Sequence, residues 1–186
     1  NVRTDLSNYN YCGSSGCTVN IEAQRLKTIE IRDKANACLR KFEFNHTYVI
    51  SANPGSPSGY LSSNNDSTDL KRLVLLSVSE QECGTSANAK THNFEYYDQT
   101  GLPRRLSFAQ DHWGYNNGKT TNTNLDPGDS YKKTLCNGCQ GIYAHVCTAP
   151  PNKREPAFPA MRNGTLKKIT FPTGGSSTFD YEAHTI

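Results

Sequence analysis

Two stretches of this chain carry side chains whose types and spacing could do chemistry. Asp111-His112-Trp113-Gly114-Tyr115 places a carboxylate, an imidazole and two aromatic rings next to one another. Trp113 and Tyr115 could stack on a sugar or a base while Asp111 and His112 hydrogen-bond it. An Asp beside a His also suggests acid–base machinery. Adjacent residues of a strand point to opposite faces, however, so Asp111 cannot simply orient His112. The plainer reading, which we favour on sequence, makes Trp113 and Tyr115 an anchor that pins the segment onto a sheet. Asp111 and Asn116-Asn117-Gly118 then satisfy turn backbone groups.

The second stretch is Cys136-Asn137-Gly138-Cys139, followed by His145 and Cys147. Zinc takes four ligands in a tetrahedron, and these four side chains could supply them. A redox pair at Cys136 and Cys139 would need a helix N-terminus in a βαβ setting, for which there is no signal. Other catalytic signatures are missing from the sequence. There is no Gly-x-Ser-x-Gly elbow. Gly138-Cys139-Gln140-Gly141 lacks the strand–helix context of a phosphate or dinucleotide loop. Glu43, Glu95, Asp180 and Glu182 fall within strand patterns and read as solvated positions. We therefore expect no enzymatic activity and no cofactor. Asn45-His46-Thr47, Asn65-Asp66-Ser67 and Asn163-Gly164-Thr165 match the N-glycosylation acceptor, read as incidental.

What must position these residues is a repeated unit. Leu26-Lys27-Thr28-Ile29-Glu30-Ile31 leads to Phe42-Glu43-Phe44, and Leu70-Lys71-Arg72-Leu73-Val74-Leu75 leads to Phe94-Glu95-Tyr96. Leu166-Lys167-Lys168-Ile169-Thr170-Phe171 leads to Phe179-Asp180-Tyr181. Each copy opens on Leu-Lys and closes on an aromatic-acid-aromatic triplet. In a strand, Ile29/Ile31, Leu73/Leu75 and Ile169/Phe171 share one face, as do the paired aromatics, with the acid on the other. Aromatic and β-branched residues suit the buried face of an antiparallel sheet. Pro172 cannot continue a central strand, and Gly174-Gly175 accepts the positive φ of a tight hairpin turn. A single hairpin cannot bury its apolar face, so neighbouring hairpins are expected to stack.

Composition agrees. The chain has 186 residues with 34% hydrophobic content and abundant Asn, Ser, Thr and Gly, which suits a loop-rich β protein. The net charge of +3 is too small to point to nucleic acid, and lysines at strand edges read as protection against aberrant pairing. The longest apolar run, Leu73-Val74-Leu75-Leu76, is far short of a membrane span.

Phe94-Glu95-Tyr96-Tyr97-Asp98-Gln99-Thr100-Gly101-Leu102 resembles the tyrosine-aspartate repeat of the RHS/YD proteins, in which a Tyr-Asp pair precedes two residues and a Gly. The run from Gly164 to Glu182 looks like the same repeat. Asp111 to Lys119, with Leu166 to Gly175, is similar to a block in large secreted RHS-like proteins of Bacteroidetes-type bacteria. The cysteines are not part of that pattern, Leu102-Pro103 departs from it, and Glu182 stands where the repeat has Asp. The resemblance implies a long β-sheet that spirals into a shell, enclosing or presenting another domain, secreted or displayed at the cell surface. Export in turn favours disulfides among Cys12, Cys17, Cys38, Cys83, Cys136, Cys139 and Cys147, over zinc at Cys136, Cys139, His145 and Cys147. With seven cysteines, one thiol stays unpaired or bonds another chain. Cys38 with Cys83 is the sharpest pairing, since both precede the closing strand of consecutive hairpins; Cys12 with Cys17 would close a local loop.

The expected architecture is all-β, with stacked antiparallel hairpins and a long loop-rich insertion. Residues 1–19 read as an irregular N-terminal cap, 20–100 as two hairpin repeats, 101–163 as an Asn/Gly/Cys-rich insertion and 164–186 as a third hairpin. Helix is confined to a turn at most, near Ala23 to Lys27 or Lys34 to Leu39. Asn1 follows no leader and no polar cap closes the array, so further sequence is expected beyond the chain. The expected role is structural, with neighbouring repeats of a larger polypeptide as partners. The alternative is a lectin-like glycan-binding module built around Trp113 and Tyr115. Exposure of Trp113 separates the two.

Overall fold

The protein is described by a computed structural model over residues 3, 5, 9–13, 16–19, 24–55, 67–125 and 153–183. β1 (Tyr9–Gly13) and β2 (Gly16–Val19) form a two-stranded antiparallel sheet in which Cys12 lies opposite Cys17. Residues 9–13 and 16–19 are thus strand, within the segment expected to be irregular. Its Asn, Ser, Gly and Cys residues mask the strand pattern that Tyr9, Tyr11 and Val19 supply.

The main body is a six-stranded antiparallel meander. It runs β3 (Thr28–Arg32), β4 (Cys38–Ile50), β5 (Lys71–Gln81), β6 (Lys90–Tyr96), β7 (Leu166–Thr170) and β8 (Ser176–Thr178), each strand beside the next in sequence. All three expected hairpins form, and the pairings of β4 with β5 and β6 with β7 fuse them into one sheet. The β7–β8 turn is closed by bonds from Phe171 N to Gly175 O and from Gly174 N to Phe171 O, with Gly174 at φ +87°. Lys34 to Leu39, where a helical turn was allowed, instead makes the β3–β4 turn and opens β4. Asp33 accepts from the Asn36 and Ala37 amides, and Asn36 takes the left-handed region at φ 63°. Helix among the described residues is limited to a 3₁₀ turn at Ser67–Leu70 and one turn, α1 (Phe158–Met161), with Pro159 as its second residue.

Register fixes the two faces. Ile29 lies opposite Phe42, Phe44 opposite Val78, Val78 opposite His92, and Phe94 opposite Ile169, which puts them on one side. Thr28, Glu43, Ser79 and Thr91 lie across from one another on the other side, as do Glu95 and Lys168. Glu43 and Glu95 therefore lie on the side away from the apolar residues, as the alternation predicted, while Glu80, across from Phe42, shares the apolar side. The expected burial does not follow. Ile29 is 44% exposed, Ile31 47% and Phe171 38%, and Ala109 is the one fully buried apolar residue among those described. Alternation assigns side chains to a face. It takes a second layer to bury that face, and the described residues supply none over most of the sheet.

The insertion leaves the sheet after Tyr96 and returns at Gly164, whose amide bonds Tyr97 O. Asp98 Oδ1 accepts from Thr100 Oγ1 and Gly101 N at 3.0 Å each, closing the Tyr-Asp-x-x-Gly turn. A Cβ on Gly101 would lie 2.2 Å from Asp98 Oδ2, so a side chain there would push aside the carboxylate that closes the turn. The chain then crosses the ends of β4 and β5. Ala52 N bonds Thr100 O, Ser51 Oγ donates to Leu102 O, and Arg72 donates to Pro103 O. Gly55 completes this seam at φ +68°, with its Cα so close to Thr120 that a Cβ would sit 2.7 Å from the Thr120 carbonyl oxygen. Gly55→Ala is expected to cost about 1–3 kcal/mol from the positive φ alone, and to loosen the insertion from the sheet. Amide exchange should rise at Lys119 to Asn122 and stay unchanged in β4–β6.

Candidate functional site

Asp111 to Tyr115 form a tight turn within the insertion. An isolated antiparallel bridge between Gln110 and Asn116 closes its base. Asp111 N bonds Tyr115 O, and Gly114 N bonds Asp111 O with Gly114 at φ +89°. The Asp111 side chain is fully buried and its Oδ1 accepts from both Trp113 N and Tyr115 N at 2.9 Å. Its Oδ2 is buried with no hydrogen-bond partner among the described residues. The carboxylate thus organises the turn backbone, as the sequence suggested, and does not bond His112.

Around this turn the insertion has a polar core in place of an apolar one. Buried Asn122 donates to Phe108 O and Lys153 O and accepts from Lys153 N. Buried Asn117 donates to Lys153 O and Glu155 O and accepts from Lys119 N. Asn116 donates to Ala160 O and accepts from Gly118 N. Arg154 donates to the carbonyls of Gln110, Asp111 and Leu125. Satisfied buried polar networks of this kind fix one geometry, because each unmade bond is costly.

The aromatic residues stand outside that core. Trp113 is 70% exposed and Tyr115 58%. His112 is exposed and meets Trp113 edge-to-face, with ring centroids 6.4 Å apart and planes at 89°. The anchoring role favoured on sequence is therefore corrected: Asn116, Asn117, Asn122 and Arg154 hold the insertion together, and the rings project. Spacing by two could not distinguish rings packed on a sheet from rings held off it.

Sequence reasoning also missed an ionic cluster at the seam. Asp69, almost wholly buried in the 3₁₀ turn, pairs with Arg104, whose Nη1 lies 3.2 Å from Asp69 Oδ2. Buried Asp5 pairs with Arg3 at 2.6 Å and with Arg105 at 3.7 Å. Burial pulls the Asp5 carboxyl up, but the Arg3 guanidinium outweighs it and holds the group below the ordinary carboxylate range. Arg72 beside them is lowered from its ordinary value, first by burial and then by Arg105. The Arg104-Arg105 doublet after Pro103 was the available signal, with nothing local to show its acidic partners.

A second exposed cluster ties the C-terminal hairpin down. Tyr97 OH donates to Phe179 O and Asp180 Oδ1, at 2.9 and 2.7 Å, while the Arg162 guanidinium lies 4.5 Å from its ring centre. The Asp180 bond raises the Tyr97 phenol above its ordinary value.

Cys38 and Cys83 form a disulfide, the pairing expected from their places in consecutive hairpins. Cys136, Cys139, His145 and Cys147 lie outside the described residues. Among the described residues no group of three or more His, Cys, Asp or Glu is placed to hold a metal ion. No helix among them is long and apolar enough to cross a membrane. Comparisons with protein-family models, with characterised proteins and with solved structures found no match for this chain.

Proposed function

We propose that this chain is a structural β-segment of a larger secreted or surface-displayed polypeptide of the RHS/YD-repeat kind, extending a sheet that forms part of a shell or stalk. The observation that supports this best is the meander of three similar hairpins, one layer thick over most of its described residues, with an apolar face only half covered and exposed apolar side chains in or beside the strand at either edge. Leu26, Ile29 and Ile31 are exposed at the β3 edge, and Phe171, Phe179 and Tyr181 at the β8 end. A sheet in this state gains stability when a neighbouring segment adds a strand or lays a second layer upon it. The Tyr97-Asp98-Gln99-Thr100-Gly101 turn supports the same reading: Tyr97, Asp98 and Gly101, the residues that match the repeat pattern it resembles, each make a bond or a close approach.

Strand addition is testable at one backbone position. Phe44 N bonds Lys27 O, so residues 27, 29 and 31 direct their backbone groups toward β4, while Thr28 and Glu30 present theirs outward. Glu30→Pro removes an outward N–H and leaves the β3–β4 ladder intact. In sedimentation velocity at rising concentration, the chain is expected to self-associate, its own hairpins standing in for neighbouring repeats. The Glu30→Pro variant is expected to associate markedly less. A chain that stays monomeric at high micromolar concentration, with freely exchanging Thr28 and Glu30 amides, would count decisively against the proposal.

A further inference from the structure

The exposed rings of Trp113 and Tyr115 are not accounted for by folding or by a structural role for the sheet. Leaving a Trp 70% and a Tyr 58% exposed forgoes most of the stabilisation their burial would give. Yet the backbone beneath them is tightly determined. Asp111 Oδ1 holds both Trp113 N and Tyr115 N, Arg154 holds the Asp111 carbonyl, and the Gln110–Asn116 bridge closes the base. His112 meets Trp113 edge-to-face on this backbone. Rings presented rigidly to solvent lose little conformational entropy when they meet a ligand.

The chemistry of the turn narrows what that ligand is. From Gln110 to Gly118 there is no Lys or Arg, and the Asp111 carboxylate is fully buried. The Arg154 guanidinium beneath the turn is taken up by the carbonyls of Gln110, Asp111 and Leu125, and the exposed Lys119 and Lys153 nearby fall short of the basic clusters that draw anionic lipid headgroups. Protein hot spots are sealed by a surround that excludes water, whereas here His112, Gly114 and Gly118 are themselves open to solvent. What remains is a flat apolar surface beside neutral hydrogen-bonding groups, namely the His112 imidazole and the Tyr115 hydroxyl. That matches a pyranose ring, which offers C–H groups on one face and hydroxyls at its rim. We infer that the Asp111–Tyr115 turn is a binding site for neutral carbohydrate, with Trp113 as the stacking platform, Tyr115 and His112 as flanking contacts, and Asp111 as the positioning residue. This goes beyond the structural role proposed above and does not depend on it.

Trp113 is the single tryptophan of the chain, so its fluorescence reports this turn and nothing else. The full chain would be titrated with cello-, malto-, chito- and manno-hexaose to millimolar concentration. The expected result is a saturable blue shift with at least one of them. Tyr115→Ala, which keeps the reporter, should weaken that binding about tenfold, the size of effect that marks a central aromatic contact. Trp113→Ala, followed by calorimetry, should abolish it while leaving the circular-dichroism melt unchanged, because an exposed ring carries little of the fold. No shift with any of the four sugars would overturn the inference. So would a shift produced only by phosphatidylglycerol vesicles, which would assign the turn to a lipid surface. A shift that follows protein concentration without sugar would likewise overturn it, in favour of contact between copies.

Discussion

Replacing Cys38 and Cys83 together by serine is expected to lower stability by about 4 kcal/mol, the entropy that a cross-link spanning some forty-odd residues removes from the unfolded chain. For a chain of this size that corresponds to a fall in melting temperature of roughly 8–16 °C. The bond joins the first residue of β4 to a residue just past the end of β5, 45 positions away. It therefore holds the two longest strands in register at the end where β3 forms the sheet edge. Few other forces act there: Arg40 and Glu80 form an exposed ion pair, and exposed pairs contribute little. A sheet with a half-covered apolar face has less burial to fall back on, which is where a staple matters most. The paired substitution is a better test than reductant, since reductant would also act on the other five cysteines. Thermal melts of the two proteins decide it, and a difference below about 1 kcal/mol would show that the unfolded state is already restricted without the bond.

The sheet and this disulfide were legible in the sequence for the same reason. Period-two alternation and the recurring Phe-acid-aromatic triplets are local signals, and placing Cys38 and Cys83 required only the order of hairpins. What lay beyond the sequence depends on contacts between distant residues. Asn117 reads as a turn former and does cap the local Lys119 amide, while Asn122 carries no signal of its own. Their distant partners, the carbonyls of Lys153 and Glu155, lie thirty or more residues onward, with no pattern to announce them. Trp113 failed for a related reason: a large aromatic two residues from another fits a buried strand or an exposed turn equally well. The Asp111 turn decides between them through backbone bonds that no side-chain periodicity encodes. The same limit explains the apolar face, since alternation says which residues share a side and is silent on what lies over it.

Asp69→Ala is expected to be the most damaging single substitution among the described residues, at about 3–5 kcal/mol, the range for removing one partner of a buried ion pair. Asp69 is 1% exposed and Arg104, its partner, is held deep enough that its side chain keeps only 12% of its surface. Arg104 Nε is buried without a hydrogen-bond partner, so the guanidinium already relies on this carboxylate. Removing the carboxylate leaves the Arg104 guanidinium without its ion-pair partner, since buried Asp5 pairs with Arg3 and Arg105, and takes away the negative charge that offsets burial at Arg72. Asp69 also sits where Arg105 N bonds its backbone carbonyl, at the point where the insertion crosses onto β5. Loss of the pair should therefore free the insertion before the sheet melts, with amide exchange rising first over residues 103–125. The cause is separable from simple loss of packing. Asp69→Leu combined with Arg104→Leu removes both charges and should be clearly less destabilising than Asp69→Ala alone, because no uncompensated guanidinium is left at that position. Denaturant melts of Asp69→Leu, Arg104→Leu and the double variant give the coupling directly. If the double variant were as unstable as the sum of the singles, the charges would not be interacting, and the seam would owe its strength to shape alone.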